Sequence, residues 1–228
     1  MKIAGLVKSS FVDYPGLPAC VLFVPECNYD CFYCHNRQLL GATSPNLPPD
    51  EIAAFLIKRV TQLDAVVVTG GEPTLQPDLI PFLLEVKALG YRVKLDTNGS
   101  SPEVIEQALQ QNACDYYAVD YKAPQSRYPE ICGGSADAGC VLITIDLLLQ
   151  AKAEFEVRIT VIPQLSQDDL LQMARELPVV PRFILNRYRK PDNYKPDDEE
   201  RVKQTPYTQA EIAAMAEVLR KLQPGVVC

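Results

Sequence analysis

Apolar residues form two alternating patterns along the chain, from residue 20 to near its end. Short continuous apolar runs indicate strands buried on both faces, and apolar residues spaced three or four apart indicate helices. The predicted strands cover 20–24, 65–69, 91–95, 116–121, 155–162 and 183–185. The predicted helices span about 50–63, 78–89, 101–109, 141–149, 166–177 and 208–222.

Local signals support several of these elements. Capping boxes begin two of the helices, Ser166 with Asp169 and Thr208 with Glu211. The run 141–149 begins with β-branched residues typical of a strand, but its length and its place between two strands favour a helix. Stretches rich in polar residues, Gly, Pro or Ser predict loops at 41–50, 123–139 and 186–206.

Six strand–helix units predict an α/β fold with a parallel sheet and right-handed crossovers. They fit a partial (β/α)6 barrel or a doubly wound sheet, and periodicity does not choose between the two. We expect a single domain over residues 1–228. It begins with a hairpin region at 1–19, which contains the turn signal 13–16, and ends with the polar loop and last helix at 186–228.

Charge narrows the choice of partners. The net charge of −7 argues against nucleic acid and anionic membranes as main partners. No apolar run approaches the roughly 20 residues of a membrane span, and the N-terminus lacks the apolar core of a signal peptide. We therefore expect a cytoplasmic protein. The single histidine, His35, argues against a Ser-His-Asp or Cys-His catalytic site.

Three of the eight cysteines are grouped as C-x3-C-x2-C directly after the first predicted strand, at Cys27, Cys31 and Cys34. This spacing supplies three thiolates, whereas a structural metal site wants four ligands. Zinc with His35 or a distant cysteine as fourth ligand is one interpretation. An iron–sulfur cluster with one open iron is the favoured one. The other five are interpreted as buried small hydrophobes or inert thiols: Cys20, Cys114, Cys132, Cys140 and Cys228.

Polar residues and glycines follow the other predicted strands. They are Gly70-Gly71-Glu72-Pro73, Asp96-Thr97-Asn98-Gly99, Asp120 with Lys122, Arg158, and the segment 186–189. Each has a structural alternative, such as a tight turn or an Asp120–Lys122 ion pair. Because parallel α/β folds bind ligands at the carboxyl ends of their strands, the set predicts one ligand pocket.

The cysteine motif, the Gly70–Pro73 and Asp96–Gly99 segments and Asp120-x-Lys122 together resemble the signature of the radical S-adenosylmethionine (SAM) enzymes. Asp13-Tyr14-Pro15-Gly16 and Cys34-His35-Asn36 are similar to the branch that activates glycyl radical enzymes. Within it, the chain most resembles activating proteins of anaerobic ribonucleoside-triphosphate reductase, followed by activating enzymes of pyruvate formate-lyase. Glu26, where these activases commonly have glycine, departs from the pattern.

The resemblance implies a 4Fe–4S cluster on the three cysteines, with SAM bound to its fourth iron. Gly70, Gly71, Glu72 and Pro73 would meet the methionine amino group, and Lys122 would meet its carboxylate. Asp96, Thr97 and Asp120 would lie near the ribose or a monovalent cation, and Asn98 would also bind the cofactor. Tyr33 and His35 would flank the adenine, and Arg158 is a further candidate contact.

The activity that the resemblance implies is that of an oxidoreductase. It would reductively cleave SAM to methionine and a 5′-deoxyadenosyl radical, which forms a glycyl radical on a partner enzyme. A flavodoxin- or ferredoxin-type protein would donate the electron. Two alternatives stay open: a radical SAM enzyme acting directly on a small molecule or modified nucleotide, and a zinc-stabilised binding module without catalysis.

Overall fold

The computed structural model describes residues 1–41 and 46–228, and the chain divides into two compact units. The first comprises Met1–Asn28, Gln38–Thr97 and Glu103–Ala118. The second comprises Tyr29–Arg37, Asn98–Pro102 and Val119–Cys228.

The strands and helices alternate along most of the described chain. The strands are β1 (Gly5–Ser10), β2 (Ala19–Val24), β3 (Ala65–Gly70), β4 (Arg92–Thr97), β5 (Tyr116–Asp120), β6 (Phe155–Val161), β7 (Phe183–Arg187) and β8 (Val226–Val227). The helices are α1 (Pro49–Arg59), α2 (Leu79–Ala88), α3 (Pro102–Gln110), α4 (Tyr128–Cys132), α5 (Ala138–Gln150), α6 (Gln167–Glu176), α7 (Glu199–Val202) and α8 (Gln209–Leu219).

The first unit contains a sheet in which β1 runs antiparallel to β2, and β2, β3 and β4 run parallel in that order. The hairpin predicted at the N-terminus is therefore confirmed. On one face of the sheet, Val21 and Val67 pack with Tyr14 in an apolar cluster. The register pairs Val24 with Gly70, so the loops that follow β2 and β3 leave the sheet side by side.

The second unit contains the parallel strands β6, β7 and β8, with α5, α6 and α8 among its helices. The ambiguous run 141–149 is helical, as predicted, and lies within α5. The Asp137 carboxylate begins this helix by accepting the Gly139 N–H at 2.8 Å. Both predicted capping boxes, at the starts of α6 and α8, are also present.

The three loops predicted at 41–50, 123–139 and 186–206 are shorter in the structure. The loop at 41–50 ends earlier because α1 begins at Pro49, and its residues 42–45 lie outside the described part of the chain. The loop at 123–139 contains α4, and the loop at 186–206 contains the end of β7 and α7. Such short helices show no apolar periodicity; α7 buries only Val202.

The last strand, β8, was missed altogether because two residues are too short to show a pattern. The Phe183 N–H donates to the Gly225 carbonyl at 3.0 Å and starts the pairing of β7 with β8. Gly225 lies so close to the preceding segment that an added Cβ would stand 2.4 Å from the Pro181 carbonyl oxygen. The expectation of a single domain over 1–228 stays a prediction.

Candidate functional site

The second half of the cysteine motif forms a tight turn in the second unit. The Cys34 N–H donates to the Cys31 carbonyl at 3.1 Å and closes this turn. Phe32 and Tyr33 are buried, and their rings pack edge to face with centroids 5.2 Å apart. The Tyr33 ring also meets the edge of Tyr188 at 6.4 Å. Aromatic packing therefore fixes the backbone that carries the two thiols.

A further cysteine lies against this turn. Cys132, at the end of α4, hydrogen-bonds the Cys31 side chain, and the Asp30 N–H donates to the Cys132 carbonyl at 2.8 Å. The hydrogen bond from Cys132, helped by the Lys122 ammonium, holds the pKa of Cys31 below its ordinary value, against the effect of burial. Burial raises the pKa of Cys34. The direction of this shift at Cys31 favours ionisation, and the thiolate is the form of cysteine that binds metal.

Basic side chains anchor the same turn from outside. Arg37 donates to the Asp30 carboxylate at 2.9 Å and to the Cys31 carbonyl at 2.8 Å. Lys195 forms an ion pair with Asp30, and the Arg201 guanidinium stacks 3.9 Å from the centroid of the Phe32 ring. The segment predicted as a polar loop therefore supports the cysteine turn, which its sequence did not indicate.

Asp120 is held by two cations at the end of β5. Lys122 Nζ donates to Asp120 Oδ2 at 3.1 Å, and Arg158 Nε donates to Asp120 Oδ1 at 3.0 Å. Burial alone would raise the pKa of Asp120, but Arg158 and Lys122 outweigh it and lower this pKa to about 2. The same pairing raises the pKa of Lys122, so both groups stay charged. The structural alternative, an Asp120–Lys122 ion pair, is therefore present.

The remaining predicted site residues of the second unit differ in their burial and in their hydrogen bonding. The buried Tyr33 hydroxyl has no hydrogen-bond partner within residues 1–41 and 46–228, and burial raises the pKa of this phenol. His35 is exposed. The Asn98 side chain accepts the Ser100 N–H at 2.9 Å and thereby shapes its own turn. Tyr33 is thus the member of this group whose buried polar atom is unpaired within the described residues.

In the first unit, Glu72 is fully buried and its carboxylate is strongly oriented. Its Oε1 accepts the Thr74 N–H at 3.1 Å and the Thr74 hydroxyl at 2.7 Å. The Thr97 hydroxyl, at the end of β4, donates to the same oxygen at 2.7 Å. The sequence pattern does not indicate Thr74 as a site residue, although it follows Glu72 by two residues.

Gly70 and Gly71 permit a close approach between two loop starts. A Cβ on Gly70 would stand 2.4 Å from the Val24 nitrogen, and one on Gly71 would stand 1.8 Å from the Glu26 carbonyl oxygen. The Glu72 N–H donates to that same oxygen at 2.8 Å. The absence of side chains at the two glycines thus lets the segment that carries Glu72 lie directly against the residues that precede the cysteine motif. A short 3-10 helix begins at Pro73, directly after Glu72.

Asp96 forms an ion pair inside the first unit. Lys94 Nζ lies 2.7 Å from Asp96 Oδ1, and both residues are buried. They lie two apart on β4 and therefore share a face of the strand.

Glu26 adopts a backbone conformation that favours glycine. Its φ is 69°, in the left-handed region, and its N–H donates to the Leu39 carbonyl at 2.7 Å. The departure noted in the sequence therefore leaves the loop shape intact and places backbone strain in it.

Replacing Glu26 tests this strain. We expect Glu26→Gly to be more stable to unfolding than Glu26→Ala by about 1 kcal/mol, because alanine keeps the left-handed penalty that glycine lacks. Both variants lose the exposed ion pair with Lys2, so this pair cancels in the comparison. Urea denaturation measures the difference, and equal stabilities would contradict the assigned conformation.

The donor set fits a thiolate-bound cluster with an amino-acid cosubstrate. In the second unit, the pKa of Cys31 is lowered and Lys122 keeps its charge. In the first unit, Glu72 offers a buried, oriented carboxylate. In the described part of the chain, no three side chains of His, Cys, Asp or Glu form a ready metal-binding group. Cys27 belongs to the first unit, and Cys31 and Cys34 belong to the second.

Comparison with known families decides the class of protein. Residues 21–177 match the sequence profile of the radical SAM superfamily. The chain belongs to the radical SAM superfamily. Membership in this superfamily implies a 4Fe–4S cluster and SAM, and the chain is a radical SAM enzyme.

Two kinds of relative are similar in sequence. A candidate glycyl-radical enzyme activating enzyme of Methanocaldococcus jannaschii is 31% identical over 99% of this chain and 94% of its own length. A probable GTP 3′,8-cyclase of Thermococcus kodakarensis is 25% identical over 65% of this chain and 49% of its own length. The first similarity spans both proteins, whereas this chain spans about half of the second.

Similar solved structures confirm the α/β fold and the partial barrel. SuiB of Streptococcus suis with SAM bound has a TM-score of 0.64 at 15% identity, covering 88% of this chain and 48% of SuiB. TYW1 with a lysine–pyruvate adduct bound has a TM-score of 0.61 at 18% identity, covering 90% of this chain and 74% of TYW1. Within the described residues, no helix is both long and apolar enough to cross a membrane.

Proposed function

We propose that this radical SAM enzyme is an activase that generates a glycyl radical on a partner enzyme. The carrying observation is the similarity to a candidate activating enzyme over 99% of this chain and 94% of that relative. The similarity to the GTP 3′,8-cyclase of Thermococcus kodakarensis covers only 65% of this chain. We propose anaerobic ribonucleoside-triphosphate reductase as the partner and a flavodoxin- or ferredoxin-type protein as the electron donor.

Cys27, Cys31 and Cys34 would hold the 4Fe–4S cluster. When bound, this cluster supplies the electron for reductive cleavage of SAM to methionine and a 5′-deoxyadenosyl radical. The chain's own residues bind and orient the cosubstrate. Their chemistry needs no proton transfer, which agrees with an exposed single histidine.

A zwitterionic amino acid needs one anion and one cation as binding partners. Glu72 would accept hydrogen bonds from the methionine ammonium, because its carboxylate is buried and held by Thr74 and Thr97. Lys122 would donate to the methionine carboxylate, since its ammonium has N–H groups beyond the one given to Asp120. Tyr33, with its buried hydroxyl, would contact the adenosine portion.

An electron paramagnetic resonance experiment tests the activase assignment. The anaerobically reconstituted, reduced enzyme is mixed with SAM and anaerobic ribonucleoside-triphosphate reductase, then with other glycyl radical enzymes. We expect a glycyl doublet that disappears when the radical-bearing glycine of the partner is replaced by alanine. SAM cleavage that depends on a small molecule or nucleotide, without a doublet from any partner, would contradict the activase and support direct action on that molecule.

A further inference from the structure

Lys94 places a positive charge inside the first unit, beside an apolar neighbour on the adjacent strand. The residue is 2% exposed, and in the sheet register it lies beside Val67, which is itself fully buried. Val67 belongs to the apolar cluster around Tyr14 and Val21. An apolar side chain would suit this position by packing alone, so the lysine requires another explanation.

Stability does not supply that explanation. Removing two charges from water costs several kcal/mol for each ion, and a buried ion pair often does no better than well-packed apolar residues of similar volume. Here the pair is Lys94 with Asp96, joined at 2.7 Å, a distance typical of a charge-assisted hydrogen bond. The pair therefore points to a role for the charge of Lys94 at Asp96.

Asp96 begins the segment Asp96–Gly99, for which the sequence resemblance implied the ribose of SAM or a monovalent cation. A buried carboxylate needs one positive charge nearby, and either a bound cation or an ammonium can provide it. We propose that Lys94 is the resident counter-charge of Asp96, taking the place of a bound Na⁺ or K⁺. This inference rests on the proposed SAM site and specifies its electrostatic design.

The second unit shows the same design by itself. Asp120 is the other carboxylate for which the sequence resemblance implied a nearby monovalent cation. It accepts a hydrogen bond from Arg158 at 3.0 Å on one oxygen and from Lys122 at 3.1 Å on the other. The low pKa of Asp120 agrees with a carboxylate that is already neutralised by its neighbours. Side-chain cations thus serve both carboxylates, and SAM binding needs no monovalent metal ion.

The test is SAM binding by the cluster-loaded protein in buffers of equal ionic strength, containing potassium, sodium or choline chloride. Equilibrium dialysis with labelled SAM gives the dissociation constant without requiring turnover or a partner. For the wild type we expect SAM dissociation constants that differ by less than about twofold among the three salts. The free energy of a twofold change, RT ln 2, is small compared with the free energy lost when a required counter-ion is missing. A tenfold weakening in choline that potassium or sodium reverses would overturn the proposal, and this measurement needs no variant.

For the variant Lys94→Met we expect the opposite result, namely that SAM binding depends on the cation. With its ammonium gone, Asp96 needs a cation from solution, so SAM binding in choline should weaken about tenfold or more and recover in potassium or sodium. Lys94→Gln serves if the methionine variant does not fold. Indifference of the folded variants to the cation would also overturn the proposal.

Lys87→Met is the matched control. Lys87 forms a similar, partly buried pair with Asp115 at 3.0 Å, at the end of α2. We expect this variant to bind SAM like the wild type in all three salts. Cation-independent SAM binding without a glycyl signal from any partner would contradict the activase and leave the role of Lys94 standing.

Discussion

Replacing Cys31 with alanine is expected to remove the iron–sulfur cluster and reduce SAM cleavage to background. The hydrogen bond from Cys132, helped by the Lys122 ammonium, lowers the pKa of Cys31. A cluster left with two thiolates lacks the ligand set of the motif. Iron and sulfide content, charge-transfer absorption and methionine release measure the loss.

Two companion variants make the result specific to the motif. Cys114→Ala removes a buried thiol of the first unit and should keep the iron, which controls for the loss of a buried thiol outside the motif. Cys132→Ala removes the thiol that touches Cys31 and should also keep the iron, because the fourth ligand is proposed to be SAM. If Cys132→Ala loses metal as completely as Cys31→Ala, the centre is a closed four-cysteine site.

A centre closed by four cysteines would favour zinc, which is one of the interpretations of the cysteine motif that the sequence leaves open. A structural zinc site uses four protein ligands, and the structure places a fourth cysteine beside Cys31. Membership in the radical SAM superfamily favours the open cluster. Metal content of the Cys132→Ala variant separates the two chemistries without any assay of turnover.

The sequence predicted the elements whose pattern is long and regular. Buried strands such as β3 are continuous apolar runs, and α6 and α8 begin with local capping boxes, so neighbouring residues suffice to identify them. The predicted site residues also follow from a local rule, since they come at the carboxyl ends of strands. The short α4 buries Tyr128, Ile131 and Cys132, and α7 buries only Val202. Helices of five and four residues are too short to show a repeating apolar pattern.

The supporting residues of the site were missed because their partners lie far away in sequence. Lys195 meets Asp30 across 165 positions of sequence, and Cys132 reaches Cys31 from a segment that looked like an ordinary loop. Lys94 did carry a local signal, because a lysine two residues before Asp96 on a buried strand shares its face. The structure adds burial and distance to that signal and turns it into a specific pair.

Replacing Glu72 with glutamine is expected to weaken SAM binding about tenfold to a hundredfold while leaving the fold intact. A hydrogen bond to a charged group contributes about 1.5–3 kcal/mol, and each 1.4 kcal/mol corresponds to a factor of ten in affinity. Glutamine has the shape of glutamate and retains one carbonyl oxygen for Thr74 and Thr97, so the loss falls mainly on the proposed ammonium of SAM.

Glu156→Gln provides the matched control for this variant. Glu156 is also buried, on β6, where it pairs with Arg182 at 3.4 Å. Its neutralisation should leave the SAM dissociation constant near that of the wild type, as measured by equilibrium dialysis. Equal affinities for the Glu72→Gln variant and the wild type would remove Glu72 from the ammonium site. A comparable loss in both variants would assign the effect to general destabilisation, since the carboxylate held by Thr74 and Thr97 is the one proposed to bind the cosubstrate.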